Sequence, residues 1–141
     1  MSVQGVVAGG YTTVGQIVGT NEVRFRTDQN GLAVAVELLA SHISGAPVLD
    51  PNGRYVGFIS EFDVLGAIES GKDLSKIMAD TIMSRHPIAV HDSTTIADAV
   101  KIMEAHHLLN LPVEKNGTIG YSVTRHDLLR AWVGLGLDIE G

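Results

Sequence analysis

Two short patterns in the chain place a hydroxyl and a carboxylate three residues apart: Ser60-x-x-Asp63 and Thr124-x-x-Asp127. Each follows an apolar run that reads as a strand, Tyr55 to Ile59 or Ile119 to Val123, and precedes an apolar pattern that reads as a helix. A helix start leaves backbone N–H groups unpaired and carries the positive end of the helix dipole, so it favours an anion. A Ser or Thr hydroxyl there adds a donor, which suits a phosphate. The Asp carboxylate near the same helix end is acceptor-only and can take hydrogen bonds from both hydroxyls of a ribose. A phosphate point beside a ribose point is the chemistry of nucleotide binding. The same spacing fits a capping box, in which hydroxyl and carboxylate satisfy the helix's own donors. Duplication copies a cap as faithfully as a site, so the repetition leaves both readings open.

The charges flanking the two patterns differ. Glu61 stands beside the first hydroxyl, where a carboxylate repels an anion, whereas Arg125 and His126 stand beside the second, where they attract one. The Thr124–Asp127 corner is therefore favoured for a charged nucleotide. Arg85, shortly before Pro87 and a strand, is a further candidate for phosphate, with a surface turn as its alternative. Other combinations promise less chemistry. His106 and His107 are neighbours on a helix, about 100° apart, and cannot both grip one metal comfortably. They read as a solvated helix end, with His42 in the aligned place; no metal site is expected. There is no nucleophile with a matched base, no Gly-x-Ser-x-Gly and no carboxylate pair marked as acid and base by spacing. No catalytic residues and no enzyme activity are expected.

The elements that must position these residues occur twice. Pro47-Val48, the turn at Asn52-Gly53 and Ser60 to Leu65 return as Pro112-Val113, Asn116-Gly117 and Thr124 to Leu129, in a register that slips once, at the unmatched Pro51. Each copy opens with a short apolar turn, Val14, Ile17 and Val18 or Ile82 and Met83, and then a strand, Val23 and Phe25 or Ile88 and Val90. A helix follows. In the second copy Asp92, Ser93 or Thr94 is expected to cap it, and Ile96, Ala99, Val100 and Met103 form its core stripe. In the first, Leu32, Ala35, Val36 and Leu39 share that spacing, but Val34 and Leu38 widen the stripe and suggest burial on more than one side. Strands Ala46 to Leu49 and Leu111 to Glu114 lead through Asn-Gly hairpins to the strands before the Ser/Thr-x-x-Asp patterns.

Each copy is thus strand, helix, strand, strand, helix, and the expected fold class is α/β, more strictly α+β. The expected divisions are an N-terminal arm over 1–11, repeats over 12–73 and 74–134, and a tail over 135–141. The two halves are expected to pack through their sheets about a pseudo-two-fold axis, with two related clefts at the seam, where small ligands are usually held. Trp132, Val133, Leu135 and Leu137 line a C-terminal apolar face suited to core or to a dimer contact.

Composition narrows the function. The 141 residues are 45% hydrophobic, enough for a core. A net charge of −6, with no run of Lys or Arg, argues against nucleic acid and acidic membranes as partners. The absence of Cys excludes disulfides and thiolate metal sites, and no apolar stretch has the length of a membrane span. A soluble, cytoplasmic protein is expected.

The order of a strand, a helix, Ala/Leu-Pro-Val, an Asn-Gly turn and then Gly-Phe-Ile-Ser-x-x-Asp-Val-Leu resembles the cystathionine-β-synthase (CBS) domain. Two such copies, from about Thr12 to Val133, resemble the tandem pair called a Bateman module. The resemblance implies a ribose at Asp127 or Asp63 and a phosphate at Thr124 or Ser60, with Arg125, His126 and Arg85 as candidate neighbours. It implies a base near Ala46, Pro47 and Val48, or near Leu111, Pro112 and Val113 with Ile88 and Ala89. The sequence departs from the family at Tyr121, which takes the place of Gly57 and could stack on a base or fill its pocket. The implied ligand is an adenine nucleotide (AMP, ADP or ATP, with NAD or S-adenosylmethionine as further options), and no catalytic cofactor is implied. The expected protein is a homodimeric sensor acting on an unknown regulated partner. The alternative is a ligand-free homodimeric interaction module.

Overall fold

The computed structural model describes residues 12–18 and 21–135; the arm expected over 1–11 and all but the first residue of the tail expected over 135–141, Leu137 included, lie outside the described residues. The chain forms four helices and six strands in the order β1 (Phe25–Arg26), α1 (Gly31–Ser41), β2 (Gly45–Leu49), β3 (Tyr55–Ser60), α2 (Glu61–Glu69), β4 (Val90–His91), α3 (Ile96–His106), β5 (Asn110–Lys115), β6 (Thr118–Thr124) and α4 (Arg125–Trp132) among the described residues. Short 3₁₀ turns at Val14–Gln16, Leu74–Lys76 and Ala79–Thr81 complete it. Each copy builds a three-stranded sheet, β1-β2-β3 or β4-β5-β6. The first two strands of each are parallel, as the intervening helix requires, and the last two are antiparallel. Among the described residues no helix is long and apolar enough to cross a membrane.

Compactness does not follow the repeat. Val23–Pro87 forms one unit, and the described residues before and after it form the other. The first unit's core joins Phe25, Val34, Leu38, Val48 and Ile59 to Leu74, Ala79, Ile82 and Met83. The second unit's core joins Val14 and Ile17 to Ile96, Met103, Leu111, Val113 and Leu128. The apolar turn that opens each copy is thus built into the unit carrying the other copy's sheet.

Helix α1 turns its faces opposite to the expected stripe. Gly31, Val34 and Leu38 are buried, while Leu32, Val36 and Leu39 are exposed. Close approach sets this phase, because a Cβ on Gly31 would stand 2.8 Å from the Leu74 carbonyl oxygen. The Asn30 side chain caps the helix through the N–H groups of Leu32 and Ala33, at 2.9 and 3.3 Å. In α3 the expected stripe is in place, with Ile96, Ala99 and Met103 buried, but the cap is Thr95 rather than Asp92, Ser93 or Thr94. Asp92 and Thr94 are held in the preceding turn by backbone bonds to Glu114 and His91. The Thr95 hydroxyl accepts from the Asp98 N–H at 3.1 Å. Thr95→Ala is expected to lower unfolding stability by about 1 kcal/mol in a urea titration.

The aligned His42 and His107 share a backbone role. Each ends its helix in the left-handed region at φ 53°, and the following N–H bonds back to Leu38 or Met103. The two hairpins diverge at the unmatched Pro51. Asn116 and Gly117 both have positive φ, the two-residue turn that suits strand twist, whereas in the first copy only Gly53 does. There the Asp50 carboxylate accepts from the N–H groups of Asn52 and Arg54, both at 2.9 Å. The Arg54 N–H is the main cause of an Asp50 pKa below the usual carboxylate range.

Candidate functional site

Both Ser/Thr-x-x-Asp patterns sit where a strand becomes a helix. Ser60 ends β3 and caps α2: its N–H donates to Asp63 Oδ2 at 2.8 Å, and the Asp63 N–H donates to Ser60 Oγ at 3.2 Å. Thr124 ends β6 and caps α4 in the same way, at 2.9 and 3.2 Å. The capping boxes expected as one of the two readings are therefore formed. They do not use up the chemistry. In each box the hydroxyl oxygen accepts, which leaves its proton to donate, and a carboxylate has acceptor capacity beyond the one N–H bound. Asp127 is buried, Asp63, Ser60 and Thr124 are half-buried, and Glu61, Arg125 and His126 are exposed.

The two corners gather different neighbours. The unit carrying Thr124 and Asp127 also holds the buried Leu111, Pro112 and Val113 and the half-buried Ile88, Ala89 and Tyr121. The unit carrying Ser60 and Asp63 holds the buried Ala46, Pro47 and Val48 together with Arg85, whose Nη2 donates to the Asp80 carbonyl at 3.0 Å. The Tyr121 ring packs on its own unit's core, and its hydroxyl donates to the Val14 carbonyl at 2.6 Å. Burial, with added repulsion from Asp92 and Asp127, pushes the Tyr121 pKa up to about 12. A tyrosine whose folded pKa exceeds its unfolded value stabilises fully below pH ~10 and loses that contribution as pH rises toward the folded value. Tyr121→Phe is expected to cost about 1 kcal/mol at neutral pH through the lost hydrogen bond. It should also flatten the fall in melting temperature above pH 10.

Sequence reasoning missed a second difference between the corners. On β5 and β6, Asn110, Ser122 and Thr124 share one face by alternation, and Ser122 pairs with Asn21, its N–H donating to the Asn21 carbonyl at 2.9 Å. Asn21, Asn110 and Ser122 are all buried, and the Ser122 hydroxyl has no hydrogen-bond partner among the described residues. The aligned positions beside Ser60 are Gly45 and Phe58, and a Cβ on Gly45 would lie 2.5 Å from the Phe58 ring. One corner is therefore flanked by an aromatic ring laid over a glycine, the other by amides and a hydroxyl. Comparing the copies at positions 45 and 110, and at 58 and 122, would have revealed the contrast. Among the described residues no group of three or more His, Asp or Glu is placed to hold a metal ion.

Two sheets of this topology, each ending in the same strand-to-helix corner, define a tandem pair of small α/β repeats. The family model described as CBS domain matches residues 14–70 and 78–134, and the chain belongs to that family as a CBS-domain pair. It is similar to uncharacterised protein MJ1426 of Methanocaldococcus jannaschii, 29% identical in an alignment 140 residues long that covers 75% of this chain and 83% of that protein. It is also similar to uncharacterised protein MK0525 of Methanopyrus kandleri, 25% identical over 120 residues, 84% of this chain but 61% of that protein. Among solved structures it resembles CBSX2 in complex with AMP, with a TM-score of 0.72 and 25% identity over 85% of this chain and 95% of that one.

Proposed function

We propose that this protein is a non-catalytic, cytoplasmic sensor that binds one adenine nucleotide per chain at the Thr124–Asp127 corner. Asp127 holds the ribose. Thr124 meets the phosphate, with Arg125 and His126 beside it, and the base lies near Leu111, Pro112, Val113, Ile88 and Ala89. The observation that carries this reading is the inequality of the corners: a buried carboxylate and an unpartnered Ser122 hydroxyl on one side, a half-buried carboxylate and Phe58 over Gly45 on the other. The structure of CBSX2 with AMP supports the ligand class. Nucleotide acts by shifting the population of conformers or dimers that a regulated protein meets, limited by its differential affinity for them.

Isothermal calorimetry and thermal shift with AMP, ADP, ATP, NAD and S-adenosylmethionine test it, after mass spectrometry of small molecules that co-purify. A ligand bound only by the folded form should add about 2.7 kcal/mol of stability at a hundredfold excess over its Kd. If none of the five binds and no adenine compound co-purifies, the reading fails. The formed capping boxes and the exposed apolar helix faces favour a second reading, a ligand-free homodimeric interaction module, which predicts a dimer indifferent to all five.

A further inference from the structure

The sheet face that β6 shares with Thr124 holds a group that the protein itself leaves unsatisfied. Ser122 is 1% exposed, and its hydroxyl has no hydrogen-bond partner among the described residues. Taking a hydroxyl out of water with nothing in exchange costs stability, so the group calls for a partner from outside the fold. Its strand neighbours do not supply one. Across the sheet Ser122 pairs with Pro112, which is fully buried and has no N–H to give. On its other side the Ser122 N–H donates to the Asn21 carbonyl, so the backbone N–H is engaged and the hydroxyl is not.

Position defines the group that would meet it. Ser122 and Thr124 lie two residues apart on one face of β6, about 7 Å along the strand. A ribose bridges such a gap, so a nucleotide with its phosphate at Thr124 brings its base to Ser122. A group that lies against the Pro112 ring and also satisfies the hydroxyl needs an apolar face and a hydrogen-bonding edge. A nucleobase has both. In the other unit the aligned residue is Phe58, whose ring offers no such bond.

We propose that Ser122 is a specificity-determining residue whose hydroxyl bonds one edge atom of the base, so that it selects the base and is indifferent to the length of the phosphate chain. The proposal rests on nucleotide binding at the Thr124–Asp127 corner and adds the contact by which that corner tells bases apart. A base without the matching atom leaves the buried hydroxyl unpaired and is rejected for that reason.

Calorimetry on Ser122→Ala with AMP, ADP, ATP and AMP analogues that each lack one hydrogen-bonding atom of the base tests it. The variant should lose about tenfold in affinity, the worth of one hydrogen bond, and lose it equally for AMP, ADP and ATP. One analogue should bind the parent about tenfold more weakly than AMP does, and should bind the variant no more weakly still. Without nucleotide the urea midpoint of the variant should rise, because the unpaired hydroxyl is gone. A lowered midpoint with unchanged affinity would make Ser122 a structural residue holding a buried water, and would overturn the proposal. So would a loss that grows with the number of phosphates, or one shared by AMP and every analogue alike. If Asp127→Ala fails to bind AMP while Ser122→Ala binds it as the parent does, the sensor reading stands and this one falls. A parent that binds none of the nucleotides overturns both.

Discussion

Asp127→Ala is expected to abolish the nucleotide-induced rise in melting temperature and to weaken binding by at least about a hundredfold, since two charge-assisted hydrogen bonds to ribose are worth about 3 kcal/mol or more. Asp63→Ala should bind as the parent does. The comparison is informative because both aspartates hold the backbone in the same way, each accepting from the N–H of its own helix cap, at 2.8 Å for Asp63 and 2.9 Å for Asp127. Both alanine variants therefore lose a cap, and a difference between them in affinity cannot come from capping. Asp127→Asn separates the two roles within one corner. The amide keeps an acceptor for the Thr124 N–H but loses the charge and one acceptor, so stability to urea should stay close to the parent while affinity falls. Equal affinity for parent, Asp127→Ala and Asp127→Asn, measured by calorimetry, would mean that the aspartate is a cap and nothing more.

The difference between these corners was only half legible in the amino-acid sequence. Elements that depend on nearest neighbours were readable: the Asn-Gly hairpins, the alternating burial of the short opening strands, and the caps Ser60 and Thr124 all follow from local chemistry. The facing of α1 was not, because a run as uniformly apolar as Leu32 to Leu39 permits several burial phases and tertiary packing selects among them. Here the selection is made at Gly31 by a segment more than forty residues away. The assignment of Val14 and Ile17 to the second sheet's core, and of Ile82 and Met83 to the first, was hidden for the same reason. Short apolar turns say that they will be buried without saying against what. The polar face formed by Asn21, Asn110 and Ser122 was missed because neither asparagine nor serine marks a core position by type. Flanking charge did favour the Thr124–Asp127 corner, which the polar face independently sets apart.

Gly57→Ala is expected to destabilise the protein by about 1–3 kcal/mol in a urea titration, the usual cost of forcing carbon into a packed site. A Cβ there would press on the Met83 sulfur and stand 2.7 Å from the Ser84 carbonyl oxygen. That oxygen is not free to retreat, because Ser84 and Phe58 exchange both backbone bonds, at 3.0 and 2.8 Å. The neighbouring Gly66 gives the opposite expectation. It lies within α2 with nothing inside 4 Å of its would-be Cβ, so Gly66→Ala should stabilise by about 0.5–1 kcal/mol through helix propensity alone. The pair distinguishes contact from backbone entropy. If both substitutions stabilise, the approach of Ser84 to Gly57 is looser than 2.7 Å implies; if both destabilise, α2 does not tolerate a methyl group where the structure leaves room. The second copy fills the position differently: the residue aligned with Gly57 is Tyr121, whose hydroxyl donates to the Val14 carbonyl at 2.6 Å. In one unit the opening apolar turn is packed against bare backbone, and in the other it is tied by a phenol beside Asp127. The loss on Gly57→Ala and the loss on Tyr121→Phe thus measure how two versions of one repeat anchor the turn that each takes from the other.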